Sequence, residues 1–228
     1  MTRVKICGLS TEETLEAAIA SGADFVGLNF VAASPRHVAP ARAAALARQA
    51  RGRTGIVALF ADPEDAALHE TVAAVQPDLI QLHGAESPAR VAAVRAACGL
   101  PVIKAIGVAT GADLAAAAAY VGVCDHLLLD AKPPPGAAYS GGHGAAFGWA
   151  ILTGPAAPAW PFMLSGGLTP ETVDEAIAQV RPWAVDVSSG VERAKGVKDP
   201  ALIHAFVRAA RDADARLSAD AARGSGQA

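Results

Sequence analysis

Two short apolar segments near the carboxyl end of the chain each stop in residues with little or no side chain. They are Phe162-Met163-Leu164-Ser165-Gly166-Gly167 and Ala184-Val185-Asp186-Val187-Ser188-Ser189-Gly190. Residues of this kind let backbone N–H groups approach an anion closely. In eight-stranded parallel barrels a phosphate commonly lies on the loops after the seventh and eighth strands. The two segments predict a phosphate site if they are strands seven and eight.

The count of strands supports that assignment, because a strand-like segment followed by a helical one recurs along most of the chain. The predicted strands are roughly residues 3–7, 24–30, 55–60, 78–83, 102–107, 125–130, 162–166 and 184–189. Eight such units predict an α/β fold, a single (β/α)8 TIM barrel. The alternative is an open doubly wound sheet. Against it, Gly8-Leu9-Ser10 lacks the Gly-x-Gly-x-x-Gly spacing of a dinucleotide-binding loop.

Helix-start signals follow many of the strands. They are Thr11-Glu12-Glu13, Pro63-Glu64-Asp65, Ser87-Pro88, Thr169-Pro170-Glu171 and Asp199-Pro200. We expect residues 1–213 to form one TIM-barrel catalytic domain and the small, polar residues 214–228 to fray. The glycine- and proline-rich connection 131–148 has two open interpretations, a surface linker or a mobile lid over a substrate.

The composition excludes several classes of protein. Of the 228 residues 52% are hydrophobic and 18% charged, which predicts a substantial core and excludes a disordered chain. A formal net charge of -3 offers no basic field for nucleic acid. Residues 144–170 carry no charge, but Pro155, Pro158 and Pro161 would break a membrane helix there, so no membrane partner is expected.

The cysteines and the amino-terminal sequence predict a cytoplasmic location. Cys7, Cys98 and Cys124 are few and widely spaced, which fits a reducing compartment and neither a disulfide framework nor a zinc site. Residues 1–5 lead directly into a strand, with no signal-peptide segment before it. The six histidines lack the close pairing typical of metal ligands, so no metal is expected.

Alternation along each strand predicts which side chains face the barrel interior. One parity brings these polar residues inward: Lys5, Cys7, Gln81, His83, His126, Asp130, Asp186 and Ser188. The opposite parity buries charges against the helices and is rejected. The barrel mouth is then predicted to present a thiol, an imidazole and two carboxyls over the anion site.

Cys7 and Asp130 are candidates for acid–base chemistry. A free cysteine is more often a small core residue than a catalytic one. However, Lys5 lies two residues earlier, and a nearby ammonium lowers a thiol pKa and increases the thiolate fraction. Asp130 ends an apolar strand and is costly to bury unpaired, so it needs a partner such as Lys132 or Lys104.

Several motifs in the same order resemble those of the phosphoribosylanthranilate isomerase family. The resemblance covers about residues 3–208. The motifs are Val4-Lys5-Ile6-Cys7-Gly8-Leu9, Ser34-Pro35-Arg36, Gln81-Leu82-His83-Gly84, Leu127-Leu128-Leu129-Asp130-Ala131-Lys132, Leu164-Ser165-Gly166-Gly167-Leu168-Thr169-Pro170, Val185-Asp186-Val187-Ser188-Ser189-Gly190-Val191-Glu192 and Gly196-Val197-Lys198-Asp199-Pro200.

The resemblance implies an aldose–ketose isomerase of tryptophan biosynthesis that uses no cofactor and no metal. The reaction would be the Amadori rearrangement of N-(5-phosphoribosyl)anthranilate to 1-(o-carboxyphenylamino)-1-deoxyribulose 5-phosphate. By this resemblance Asp130 is the general acid, which opens the sugar ring, and Cys7 is the general base, which removes the proton from C2. The protein is expected to be a monomer or a homodimer with a small phosphosugar-anthranilate substrate.

The resemblance also implies the binding residues. Arg36 would bind the anthranilate carboxylate, although a solvated loop arginine is the alternative. His83 and Asp186 would bind substrate, and the alternative for Asp186 is a buried ion pair with Lys5 or Lys104. The phosphate would lie on the N–H groups of four residues. They are Gly166, Gly167, Ser189 and Gly190.

The chain departs from the family pattern in and directly after the connection 131–148, at His143, Ala145-Ala146 and Gly148-Trp149. Three rival functions remain at this point. A phosphosugar epimerase needs clustered metal ligands. An isomerase serving both the histidine and tryptophan pathways is expected to carry a carboxylate in place of Cys7. A barrel that only binds a phosphate ligand is the third, because fold does not imply catalysis.

Overall fold

Eight parallel strands form a closed barrel in chain order. The computed structural model describes residues 1–132, 141, 148–154 and 157–225, so most of the connection 131–148 lies outside the described residues. The barrel strands are β1 Arg3–Cys7, β2 Phe25–Asn29, β3 Gly55–Phe60, β4 Leu79–Leu82, β5 Val102–Val108, β6 His126–Ala131, β7 Phe162–Leu164 and β8 Ala184–Val187. The predicted (β/α)8 barrel is confirmed, and the two segments with small residues are its seventh and eighth strands.

The predicted strand boundaries agree with the structure to within two residues. The largest differences are at the ends of β7 and β8, which stop at Leu164 and Val187. After β7 the chain turns through Gly166 and Gly167, whose φ angles are +90° and +70°. Only glycine adopts this region without strain, so the strand cannot continue.

Helices cover the outside of the barrel. They are α1 Glu12–Ala20, α2 Pro40–Ala50, α3 Asp65–Val75, α4 Pro88–Cys98, α5 Gly111–Ala117, α6 Val173–Val180 and α7 Pro200–Ser225. The predicted starts at Thr11 and Ser87 are confirmed, since each side chain accepts a hydrogen bond from the amide three residues later. The start predicted at Thr169-Pro170 is displaced to Val173, because Thr169 and Thr172 first form a turn.

The core has an outer layer between strands and helices and an inner layer inside the barrel. The inner layer contains Val57, Ile103, Leu128 and Met163, all fully buried. At the amino-terminal end of the barrel the Trp183 ring stacks on His126, with ring centroids 4.2 Å apart. His126 therefore belongs to the floor of the barrel, whereas the residues at the strand carboxyl ends are left to form the mouth.

The carboxyl-terminal part contains a hairpin that the sequence analysis did not predict. The antiparallel strands β9 Glu192–Ala194 and β10 Val197–Lys198 lie between β8 and α7. Helix α7 continues to Ser225, beyond the expected onset of fraying at residue 214. The Asp214 carboxylate accepts hydrogen bonds from the amide and hydroxyl of Thr2, at 2.6 and 2.8 Å. The one-domain boundary and the fraying of the end in solution stay predictions.

None of the described helices, α7 included, combines the length and the apolar character needed to cross a membrane.

Candidate active site

A cavity lies at the carboxyl ends of the barrel strands. Cys7 at the end of β1 and Asp130 on β6 both line it. Because β1 and β6 are separated by two strands on one side of the barrel and by four on the other, the thiol and the carboxyl reach the cavity from different sides. The predicted inward parity is confirmed for these two residues and for further residues of the lining. These are Gln81, His83, Asp186 and Ser188.

Asp186 forms an ion pair with Lys5. The Lys5 Nζ atom lies 2.8 Å from Asp186 Oδ1, and the Ser165 hydroxyl donates to Asp186 Oδ2 at 3.2 Å. Burial opposes the charge on Lys5, but Asp186 and Cys7 together outweigh it, so the Lys5 pKa is raised. The two interpretations of Asp186 are therefore compatible, since it pairs with Lys5 and also lines the cavity.

The Cys7 thiol is less acidic than the sequence predicted. Only 5% of Cys7 is exposed, and burial raises the pKa of its thiol. The Lys5 ammonium lowers that pKa, as expected, but only in part, and the Asp186 carboxylate raises it further. The expected net lowering is wrong because sequence spacing reveals the neighbouring ammonium but not the depth of burial.

Asp130 has a partner, but not a lysine. Its Oδ1 atom accepts a hydrogen bond from the Ala131 amide at 2.8 Å. Its Oδ2 atom lies 3.4 Å from Nε2 of His83, a long hydrogen-bond distance. The other ring nitrogen, Nδ1, lies 3.4 Å from Nε2 of Gln81. The contact between His83 and Asp130 was missed, since the sequence placed His83 in the mouth only as a substrate-binding residue.

The two lysines predicted to pair with Asp130 lie elsewhere. Lys104 is fully buried and its Nζ atom lies 2.8 Å from Glu86 Oε2. Lys132 pairs on the surface with Asp113, at 3.0 Å. Both predictions are wrong for the same reason: alternation along a strand places a residue on a face but does not tell which neighbour it meets.

Arg36 is a buried residue of the cavity wall. Its Nε and Nη2 atoms donate to the two carboxylate oxygens of Glu192, at 2.7 and 3.0 Å. Its stem lies against Gly8, where an added Cβ would come within 2.8 Å of Arg36 Cδ. Because Arg36 is 4% exposed, the alternative of a solvated loop arginine is wrong. Glu192 was quoted in a motif, but its pairing with Arg36 was missed.

The loops after β7 and β8 form another part of the cavity wall. Gly166, Gly167 and Ser189 line it, as expected for a phosphate site. Ser189–Val191 form one 3-10 turn, whose first amides have no acceptor within the turn. Gly190, by contrast, is not among the residues that line the cavity. A Cβ there would lie 1.9 Å from the Leu168 carbonyl oxygen, so Gly190 allows the two loops to pack together.

Lys198 is a buried cation beside this loop, and although it belongs to one of the motifs, no role for it was predicted from the sequence. Its Nζ atom donates to the carbonyl oxygen of Ser188 at 2.8 Å and to Oε1 of Glu192 at 2.8 Å. The Ser188 hydroxyl in turn donates to the Cys7 carbonyl oxygen at 3.2 Å. Burial lowers the pKa of Lys198 to about 8, although the Glu192 carboxylate opposes the shift.

Comparison with known proteins agrees with these features. A family profile described as "N-(5'phosphoribosyl)anthranilate (PRA) isomerase" matches residues 4–209. The chain belongs to this family. It is 54% identical to N-(5'-phosphoribosyl)anthranilate isomerase of Rhodopseudomonas palustris (strain HaA2), over 94% of this chain and 98% of the relative. The resemblance stated from the motifs is confirmed, and the chain is an enzyme, an isomerase of tryptophan biosynthesis.

Two solved structures are similar over 93% of this chain and 100% of theirs, each at 34% identity. One is a phosphoribosyl anthranilate isomerase in complex with reduced 1-(o-carboxyphenylamino)-1-deoxyribulose 5-phosphate, with a TM-score of 0.80. The other, with a TM-score of 0.79, is described as a generated monomer of the dimeric isomerase from Thermotoga maritima. One structural relative of this chain is thus described with a bound small molecule, and another as a dimeric enzyme.

Proposed function

We propose that this isomerase converts N-(5-phosphoribosyl)anthranilate to 1-(o-carboxyphenylamino)-1-deoxyribulose 5-phosphate by an Amadori rearrangement. One observation carries the proposal. Cys7 and Asp130 line the same cavity from different sides, and Arg36 and the glycine loop after β7 line it as well. That arrangement supports a ligand with two anionic ends and its reacting carbons between an acid and a base.

Asp130 acts as the general acid in this proposal. It protonates the furanose ring oxygen while the nitrogen lone pair forms the C1=N double bond and the C1–O bond breaks. The result is an open-chain protonated Schiff base and an Asp130 carboxylate. The contacts to the Ala131 amide and to His83 support the role because they hold the carboxyl group in one orientation.

Cys7 acts as the general base. Its thiolate removes the proton from C2, the electrons of that bond form the C1=C2 double bond, and the C1=N π electrons return to nitrogen, which gives an enolamine. The enolamine becomes the ketone when C1 gains a proton and the oxygen on C2 loses one. A thiolate is needed for the first of these steps, and the Lys5 ammonium is a neighbour that lowers the Cys7 pKa against the effect of burial.

The remaining residues bind the substrate in this proposal. Arg36 binds the anthranilate carboxylate, because a planar guanidinium suits that anion. His83 and Asp186 contact the sugar. The phosphate lies on backbone amides of the loops after β7 and β8. The residues proposed to bind the phosphate are Gly166, Gly167, Ser189 and Gly190. The first three line the cavity, whereas Gly190 is included because it lets its loop pack against Leu168.

The test is turnover of N-(5-phosphoribosyl)anthranilate, followed by the loss of its fluorescence. We expect conversion by the wild type and a loss of about 10² to 10⁴-fold in kcat for Cys7→Ser and for Asp130→Asn, the usual contribution of a general base or acid. Matched controls are Cys98→Ser on α4 and the surface change Asp65→Asn. Circular dichroism and thermal unfolding check that each variant is folded.

The possible results separate the rival functions. Normal turnover in folded Cys7→Ser or Asp130→Asn would remove that residue from the mechanism. A wild type that binds the phosphosugar without converting it would support the barrel that only binds a phosphate ligand. Loss of wild-type turnover on treatment with a metal chelator would contradict the proposed chemistry, which uses only side chains.

The state of the protein in the cell is also part of the proposal. We propose a cytoplasmic monomer or homodimer that works without metal or cofactor and binds neither nucleic acid nor membrane. The dimer is supported by the description of the Thermotoga maritima relative. Light scattering at two protein concentrations tests the oligomeric state.

A further inference from the structure

The carboxylate of Glu192 joins two buried cations. It receives Nε and Nη2 of Arg36 on one side and Nζ of Lys198 on the other, and Oε2 also accepts the Gly196 amide at 3.0 Å. The side chains of all three charged residues are at least 96% buried. A buried cluster of three charges is costly to form and tightly constrained in geometry. Its position therefore points to a role beyond holding the hairpin together.

The hairpin β9–β10 also fixes the loop that carries Arg36. Gly196 in its turn has a φ of +80°, and a Cβ there would lie 2.6 Å from the Pro35 carbonyl oxygen. The Arg36 amide donates to the Ser34 hydroxyl at 3.2 Å. With Gly8 beneath its stem, Arg36 is held along its backbone, its stem and its guanidinium.

The other half of the cluster reaches the loop after β8. Lys198 Nζ donates to both the carbonyl and the hydroxyl oxygen of Ser188, at 2.8 and 3.1 Å. Ser188 precedes Ser189, and both residues line the cavity. One carboxylate thus connects Arg36, through Lys198, with the proposed phosphate loop, and both line the cavity.

We infer that Glu192 is a positioning residue that holds Arg36 and the Ser188-Ser189 loop at a fixed separation. The site would thereby select ligands that carry a carboxylate and a phosphate that far apart. The inference rests on the proposed function, because it takes Arg36 as the carboxylate-binding residue. Lys198 connects Glu192 to the Ser188-Ser189 loop. Its pKa of about 8 is consistent with a cation that depends on nearby anions.

The experiment measures the affinity of the full-length protein for three probes by calorimetry. They are reduced 1-(o-carboxyphenylamino)-1-deoxyribulose 5-phosphate, the same compound without its carboxyl group, and inorganic phosphate. In Glu192→Gln we expect the preference for the carboxylated compound over its analogue to fall by about tenfold or more. Lys198→Met should instead weaken the binding of all three probes, because Lys198 contacts the proposed phosphate loop at Ser188.

Turnover gives a second test, because a Glu192 that only stabilised the fold would not change KM separately from kcat. In Glu192→Gln the KM should rise by about tenfold or more while kcat changes by less than about threefold, since the acid and the base are untouched. Glu16→Gln is the matched control, because Glu16 also accepts two hydrogen bonds from one arginine, Arg53, but on the surface. Both KM and the preference among probes should be unchanged in it.

A clear result would overturn the inference. It fails if folded Glu192→Gln keeps the wild-type preference for the carboxylated probe, even when its melting temperature is lower. If Glu192→Gln does not fold, Glu192→Asp keeps the charge but shortens the side chain, and an unchanged preference there counts against the inference equally. Because binding is measured apart from turnover, a wild type that binds the probes without catalysis would contradict the proposed function alone.

Discussion

Lys5 and Asp186 are direct neighbours across the seam between β1 and β8, and their charged atoms lie 2.8 Å apart inside the barrel. The pair lies beside the thiol of Cys7, whose pKa both residues influence in opposite directions. A contact that closes the barrel therefore also sets the electrostatic environment of the proposed base. Stability and chemistry are coupled at this position.

Asp186→Asn should destabilise the fold because it leaves the buried Lys5 ammonium without its carboxylate. We expect a loss of about 3 to 5 kcal/mol in the free energy of unfolding, the usual cost of breaking a buried ion pair from one side. Urea denaturation measures it. The control is Asp65→Asn, which breaks a surface pair with Arg90 and should have a much smaller effect. Equal losses in the two variants would contradict the importance of the buried pair.

The raised pKa of Cys7 predicts slow alkylation at neutral pH. The rate with iodoacetamide should rise by about tenfold per pH unit from pH 7 to pH 9 without levelling off, because only the thiolate reacts. Lys5→Met should slow the reaction further, since it removes the cation that lowers the pKa. Mass spectrometry resolves Cys7 from Cys98, whose rate should not respond to Lys5→Met. A Cys7 rate that reaches a plateau below pH 7 would show that burial does not dominate.

Gly190→Ala should disturb the phosphate loops, because the new methyl group would overlap the Leu168 carbonyl oxygen. We expect a destabilisation of about 1 to 3 kcal/mol, typical of overpacking, together with weaker binding of inorganic phosphate. Gly111→Ala is the control, since nothing lies within 4 Å of a Cβ at that position. Thermal unfolding and phosphate titration measure both effects. Unchanged phosphate affinity in folded Gly190→Ala would contradict the proposed phosphate site.

The lowered pKa of Lys198 predicts a pH-dependent contribution to stability. Between about pH 8 and pH 10.5 the unfolded chain keeps a proton on Lys198 that the folded protein has released. Folding is therefore favoured as the pH rises, by about 3 kcal/mol across this range. Cys7, with a raised pKa, acts in the opposite direction and is coupled to Lys198, so the comparison is made in a Cys7→Ser background.

Subtracting the stability of the double variant Cys7→Ser/Lys198→Met from that of Cys7→Ser isolates this contribution. Denaturation at pH 7.5, 8.5 and 9.5 should show a difference that grows in favour of the variant that keeps Lys198. Without the Cys7 thiol, the charges that act on Lys198 are Glu192 and Arg36, and neither changes in this range, since the Glu192 pKa is lowered and a guanidinium stays protonated. A difference that is constant with pH would contradict the lowered pKa.

Much of this architecture could be predicted from the sequence. All eight barrel strands lie within two residues of their predicted positions, because apolar periodicity and glycine or proline breaks are local signals. The same alternation placed Cys7 and Asp130 in the mouth of the barrel. The hairpin β9–β10 was not predicted, since its strands have three and two residues and too little periodicity to detect.

The partners of the charged residues could not be predicted. Asp130 meets His83 rather than a lysine, and Arg36 meets Glu192, which lies 156 residues away in sequence. Such contacts depend on where strand ends and loops meet around the barrel. The hydrophobic pattern of a strand or loop does not tell which distant residue its charged side chains will contact.

The sequence by itself determined the order of strands and helices, the face on which each strand residue lies and the kinds of chemical groups at the strand ends. The tertiary structure alone decided which charges pair, how Glu192 joins Arg36 to Lys198, and that burial outweighs Lys5 in raising the pKa of Cys7. The physical reason is the sequence distance over which each interaction acts. Backbone periodicity is set by neighbouring residues, whereas desolvation and Coulomb interactions depend on distances between segments that only folding brings together.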